Sequence, residues 1–235
     1  MTTDDIFYDF GAGKGNSMGR AVQWWGGRGV GFEDSGPRRA IAVERGYNVQ
    51  PGRMPDCMAA LPPDGARYSV INHVLEHIPE MRIARKIIQE ALRVSREFVY
   101  LAGPWMESDL ELMLAGCKWF CNDWPKDHPT RVTALDIYSA ARDSKQAKHI
   151  AVYGRDRIGD TGHDHVYPLE SAPLPTPYLC DDKMLASKGD PKPLHLCYSE
   201  ICCLIFKDAK CDETVLSQFE EHNPTAEPVA SIEVK

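Results

Sequence analysis

The sequence predicts an α/β protein, a three-layer sandwich around a mostly parallel sheet with an antiparallel last strand. Three observations predict it. The first half of the chain alternates short apolar strands with helical segments, the pattern of strands covered on both faces. The longest helical segment repeats its apolar residues at three- and four-residue intervals, so one face packs on the sheet. Polar or glycine-rich residues stand where strands end, the edge at which open parallel sheets bind ligands.

The elements follow in order. Ile6-Phe7-Tyr8-Asp9-Phe10 reads as the first strand, and Gly11-Ala12-Gly13-Lys14-Gly15 follows at once. Asn16 or Ser17 is expected to cap a helix through Met18, Ala21, Val22 and Trp25, which Gly26 and Gly27 stop. Gly29 to Phe32 is a second strand ending in Glu33-Asp34, and a helix follows Pro37 to about Gly46. A short third strand starts near Tyr47, and Tyr68 to Asn72 is the fourth. After Pro79, the spacing of Ile83, Ile87, Ile88, Ala91 and Leu92 predicts an amphipathic helix. Phe98 to Ala102 is the fifth strand, closed by Gly103-Pro104.

The second half is less regular. Thr133 with Asp136 predicts a helix start, and the helix runs to about Arg142. Ile150 to Tyr153 and Ile201 to Phe206 are the remaining strands. One domain is expected over residues 1–211, with irregular insertions at 104–132 and 156–197 and an acidic, partly disordered tail at 212–235. The proline- and glycine-rich 156–197 segment reads as a long loop, and loops of that size are usually functional.

Composition narrows the function. The 235 residues, with 43% hydrophobic and 26% charged, are enough for one buried core. No apolar run reaches the roughly 20 residues of a bilayer span. The acidic start, Met1-Thr2-Thr3-Asp4-Asp5, lacks a signal-peptide pattern, so a soluble cytoplasmic protein is expected. A net charge of −7 disfavours a duplex nucleic-acid binder. The 8 cysteines include no Cys-x-x-Cys pair and are expected to be free thiols. His163, His165, His195, Cys180 and Cys197 match no standard zinc module, and no metal is expected.

The loop after the first strand carries the clearest signal. Its glycines let the backbone turn sharply and approach a ligand, and the helix N-terminus behind it favours an anionic group. Asp9 is placed to meet a cationic group. A dinucleotide fingerprint needs glycine at the sixth position, where Asn16 stands counting from Gly11 and Met18 counting from Gly13. A phosphate-binding P-loop needs Ser or Thr after Lys14, where Gly15 stands.

Asp9-x-Gly11-x-Gly13-x-Gly15 resembles the first motif of class I, Rossmann-like S-adenosylmethionine-dependent methyltransferases. Leu61-Pro62 and His73-Val74-Leu75-Glu76-His77-Ile78-Pro79 are similar to segments before and after the fourth strand of many small-molecule methyltransferases. The resemblance covers roughly residues 5–103. It implies S-adenosylmethionine as cofactor, held by Asp9, the loop Gly11, Ala12, Gly13 and Gly15, and Glu33 with Asp34 at the ribose. Met54, Asp56, Asn72 and His73 complete the implied contacts. Arg53 stands where the family usually has an acid for the adenine, and Ser69 replaces a common aspartate. The chain opens on the first strand, without the helix that often covers the cofactor. The segments 104–132 and 156–197, or a second copy of the chain in a homo-oligomer, are therefore expected to form the lid.

Methyl transfer from a sulfonium needs position and desolvation, and a base only where the acceptor must lose a proton. His73, His128, His163 and His165 are the candidate bases, and Trp105, Trp119, Trp124 and Tyr167 the candidate desolvating groups. The acceptor is expected to be a small molecule or a sugar-type compound. Two rival readings remain open. One is a protein that has this pocket and binds the cofactor without turning it over. His73-x-x-Glu76-His77 is also an inverted zincin pattern, which requires a continuous helix that Pro79 opposes.

Overall fold

The computed structural model of the chain describes residues 5–119, 127–171, 188–208 and 212–234. Parallel strands β1 (Ile6–Phe10), β2 (Arg28–Glu33), β3 (Val49–Pro51), β4 (Ala66–Asn72) and β5 (Ser95–Pro104) alternate with helices. Helices α1 (Asn16–Trp25), α2 (Gly36–Glu44), α3 (Asp56–Ala59) and α4 (Met81–Val94) connect them. Then come α5 (Asp109–Leu114), β6 (Cys117–Trp119), α6 (Ala134–Ser144), β7 (His149–Arg157), β8 (Val166–Pro168) and β9 (Tyr198–Phe206). Helix α7 (Asp212–His222) and strand β10 (Ala226–Glu233) complete the described elements. The main sheet has eight strands in the order β10-β7-β9-β5-β4-β1-β2-β3. Strand β9 runs antiparallel to both β5 and β7, and β10 antiparallel to β7. This is the expected three-layer α/β sandwich.

Strand alternation divides the core between the two faces. Tyr68, Val70, Phe98, Tyr100, Cys202 and Leu204 pack with Met18, Trp24 and Trp25 of α1. Ile71, Val99, Leu101, Cys203 and Ile205 face the other way, onto Ile87, Ile88 and Leu92 of α4 and Ala140 of α6. The period of two that puts successive side chains on opposite faces produces this split. On the α1 face, the rings of Phe7, Tyr68 and Phe98 stack across β1, β4 and β5 at 4.9 and 4.8 Å. Each such aromatic pair adds about 0.5–1.5 kcal/mol beyond its burial.

Helix boundaries follow their local chemistry. Thr133 and Asp136 form a capping box at the start of α6, as their spacing predicts. Helix α1 departs from expectation: its N-cap is Gly15, in a left-handed conformation without a side-chain cap, and Asn16 is already helical. Gly26 ends that helix.

The C-terminal region corrects the expected disordered tail. Val215 and Phe219 of α7 are buried against α1, where Trp25 Nε1 donates to the Val215 carbonyl at 3.3 Å. Three apolar residues, Val215, Leu216 and Phe219, outweigh the acids that flank them, Asp212 and Glu213 before and Glu220 and Glu221 after. Strand β10 then adds an edge to the sheet, with Pro228 at an irregular register beside Ala230. Proline is tolerated at such an edge because it lacks a ladder donor.

The 156–197 segment is not a structureless loop over its described part. Strand β8 pairs with β6, and Asp160 bridges to Pro193. Met106, Leu112, Trp119, Ile158, Val166 and Leu194 form a separate small core there. The two irregular segments are thus one module, built where each supplies half of a hydrophobic cluster. Trp124 and Cys180 lie outside the described residues. Among the described residues no helix is long and apolar enough to cross a membrane. Cys57, Cys117, Cys197, Cys202 and Cys203 are free thiols.

Candidate functional site

The carboxyl ends of the parallel strands gather the predicted residues. Gly11, Gly13 and Gly15 all adopt left-handed φ, at 81°, 55° and 87°. Two of these glycines also have a packing reason. A Cβ on Gly11 would lie 2.4 Å from Val74 Cγ2, and one on Gly15 would lie 2.3 Å from Tyr47 Cδ2. At Gly13 the nearest atom to such a Cβ is the Gly11 carbonyl oxygen at 4.0 Å. Gly13 therefore faces open space, and its left-handed φ rather than packing is what calls for glycine there.

The loop is tied to β2. The N–H groups of Gly11 and Ala12 donate to the Phe32 carbonyl at 2.8 and 3.1 Å. Glu33 accepts from the N–H of Gly13 and the N–H of Ser35, each at 2.8 Å. Its carboxylate is fixed at the rim by these donors and keeps lone pairs for hydroxyl groups. The Arg39 guanidinium donates to the Glu33 carbonyl at 2.9 Å and anchors the same corner.

Asp9 is fully buried beneath the loop. Its Oδ2 accepts from Ser17 Oγ at 2.5 Å, while Oδ1 has no hydrogen-bond partner among the described residues. Burial pushes its carboxyl up to about 7, against the Ser17 hydrogen bond and the nearby Arg20 charge, and Glu33 adds to the rise. Ser17, expected only as a cap, instead holds Asp9; a hydroxyl in the first turn behind an acid-bearing strand is the sequence signal for that contact.

Asp34, Met54 and Asp56 line a cleft of about 850 Å³ between the ends of β2 and β3 and the start of α4. Arg53, His77, Ile78 and Pro79 line it as well, and Arg82 and Lys86 project from α4. Asn72 lies elsewhere, beside Ser17 and Arg20 in the gap between α1 and the sheet.

After β4 the backbone turns abruptly. His73 sits at a left-handed φ of 53°, and Leu75–His77 form a single 3-10 turn. The continuous helix required by the zincin pattern is absent, because Ile78 is extended and Pro79 follows. That reading is corrected: His73 and His77 do not share a helix face. The His73 ring instead bridges two acids, with Nδ1 3.1 Å from Glu76 and Nε2 3.1 Å from Glu200. Glu200 also pairs with Arg155, which contacts Asn223 at 3.2 Å. Glu200 and Arg155 gave no local sequence signal. Glu200 reaches this edge through the antiparallel pairing of β9 with β5, and Arg155 through that of β7 with β9.

His128 packs edge-on against His77, with ring centroids 4.9 Å apart. Burial lowers His128 below the ordinary imidazole range, against the pull of Glu76. His163 and His165 belong to the added module. The His165 N–H donates to His163 Nδ1 at 3.2 Å, and the His165 ring packs on Trp119. Burial lowers the His165 pKa too. The structure thus brings His73, Glu76, His77 and His128 together at the strand edge, and groups His163 with His165 on the module.

This fold is that of class I S-adenosylmethionine-dependent methyltransferases. A methyltransferase from Archaeoglobus fulgidus superposes with a TM-score of 0.60 at 12% identity, covering 87% of this chain and 86% of that one. One from Thermotoga maritima gives 0.54 at 13% identity, covering 87% and 83%. Magnesium protoporphyrin IX methyltransferase from Synechocystis, with bound S-adenosylhomocysteine, gives 0.50 at 13%, covering 87% and 75%. No family model and no curated protein sequence matches the chain.

Proposed function

We propose that the chain binds S-adenosylmethionine across the carboxyl edge of β1 to β4 and transfers its methyl group to a small-molecule acceptor. One observation carries this reading: the three left-handed glycines lie between a buried Asp9 and a rim-fixed Glu33, with Gly13 open to a ligand. The residues fit the cofactor. Asp9 Oδ1 is a buried acceptor lacking a partner among the described residues, and an ammonium group would supply one, directly or through water. Helix α1 has no side-chain cap and no acid in its first turn, so its positive end suits the ligand carboxylate. Glu33 suits the two ribose hydroxyls, and the cleft containing Met54 and Asp56 suits the adenine.

The bound cofactor supplies an activated methyl group on a sulfonium. The protein positions the acceptor and excludes water. The small module around β6 and β8 covers the acceptor side in this reading, with Tyr167 buried on β8 and Trp105 buried in the main core beside it. Protoporphyrin, in the Synechocystis neighbour's name, is a small-molecule acceptor, and the net charge of −7 fits such a substrate better than duplex nucleic acid. A cytoplasmic setting, in which thiols stay reduced, accompanies the five free cysteines among the described residues.

Glu33 tests the ribose contact. Glu33→Ala should weaken S-adenosylhomocysteine binding by about tenfold or more, the scale of a lost charged hydrogen bond. The 2'-deoxy analogue should lose less in the variant than in the wild type. A double-mutant-type cycle measured by calorimetry gives the coupling. Strictly additive losses would remove Glu33 from the ribose. Release of S-adenosylhomocysteine in the presence of trial acceptors then reports turnover, and tight cofactor binding with no turnover on any of them would favour a non-catalytic binding protein.

A further inference from the structure

Two histidines and a carboxylate converge just beyond β4. Ligand atoms of Glu76, His77 and His128 all lie within 4.8 Å of one another. Their convergence is built by long-range contacts. The Thr130 N–H donates to the Glu76 carbonyl at 3.3 Å, and Thr130 Oγ1 donates to the Ile78 carbonyl. These bonds hold the 127–131 segment against the 75–78 turn.

The surroundings orient each ligand. His77 Nδ1 is 2.5 Å from the Asp127 carbonyl, which can only accept. That bond places the proton on Nδ1 and leaves Nε2 with a free lone pair, the usual support for a metal-binding imidazole. Glu76 is almost wholly buried, and His73 Nδ1 holds one of its oxygens at 3.1 Å. This set differs from the zincin pattern, since His73 serves as a support and His128 as a ligand.

We infer that Glu76, His77 and His128 form a divalent transition-metal site beside the acceptor position, a role that rests on the methyltransferase reading. Two imidazoles and one carboxylate suit zinc, manganese, iron or cobalt rather than calcium or magnesium. Three protein ligands leave coordination positions open, as in catalytic rather than structural sites. The location lies between the two sides of the site. His77 lines the large cleft assigned above to the adenine, and Glu76 lines a small apolar cavity with Gly103 and Ile201 at the other side, toward the acceptor. An oxygen- or nitrogen-bearing acceptor is the chemical class such an ion would hold.

The test uses the full chain without a histidine tag, stripped with chelator and titrated with cobalt(II), zinc(II) and manganese(II). About one ion per chain is expected for at least one metal, with cobalt(II) giving ligand-field absorption. His77→Ala, His128→Ala and Glu76→Gln should each weaken uptake by about tenfold or more. His222→Ala, on α7, should leave it unchanged. Because His77→Ala removes a hydrogen bond that holds the turn, the near-isosteric Glu76→Gln and a thermal melt of each variant accompany it. Absence of stoichiometric uptake, or uptake indifferent to both Glu76→Gln and His128→Ala, would overturn the site. S-adenosylhomocysteine binding by the stripped protein is measured in parallel and should persist. Its loss together with intact metal uptake would reject the methyltransferase reading while upholding the ion site.

Discussion

Raising the pH from about 4 to about 8 should cost the ligand-free protein about 4 kcal/mol of stability through Asp9 alone. Burial is the main cause: the folded chain pushes this carboxyl from 3.8 up to about 7. Between those values the folded state holds a proton that the unfolded state has released. Stability therefore falls as pH rises through that window and levels off above it. Ser17 and Arg20 already offset part of the rise, and Glu33 adds to it. Asp9→Asn carries no charge and can still accept from Ser17, so it should lack this component of the slope. Urea unfolding of both proteins across the window measures the difference. Parallel curves would show that Asp9 ionises in the fold near its ordinary value and that burial does not raise it.

Gly13→Val should abolish most cofactor affinity while leaving the protein folded. The φ of 55° at this position disfavours a branched side chain, at about 1–2 kcal/mol. Apart from its chain neighbours, no atom lies closer than 4.0 Å to the new Cβ, so the Cβ itself meets no clash. The new side chain instead fills the space in which the ligand backbone would lie. A loss of about 2 kcal/mol or more, near thirtyfold in S-adenosylhomocysteine affinity, is expected by calorimetry. Gly15→Ala supplies the contrast. Its Cβ would meet the Tyr47 ring at 2.3 Å, so its urea midpoint should fall more than that of Gly13→Ala. Wild-type affinity in Gly13→Val would mean that no ligand approaches the loop.

The parallel half of the fold was legible because its signals are local. The loop glycines and the apolar spacing of α4 act within a few residues, as does the capping box at Thr133 in the second half. The added module was not legible, because β6 and β8 are three residues each and their cluster joins distant segments. The tail was misjudged for a related reason. Its acids dominate the composition, but burial of Phe219 on Trp24 and Tyr100 decides its structure. At the candidate site the glycines, Asp9 and Glu33 could be named from strand ends. The link from Glu76 through His73 and Glu200 to Arg155 could not, since it depends on strand order. His128 was named only as a candidate base, and its approach to Glu76 and His77 appears only when Thr130 pins its segment to the turn.

Equilibrium titration of the wild-type chain with S-adenosylhomocysteine tests the central claim most directly. The predicted result is saturable binding of one ligand per chain, weakened in Gly13→Val and in Glu33→Ala. Absence of saturable binding by folded wild-type protein, or binding that both variants retain in full, would contradict it.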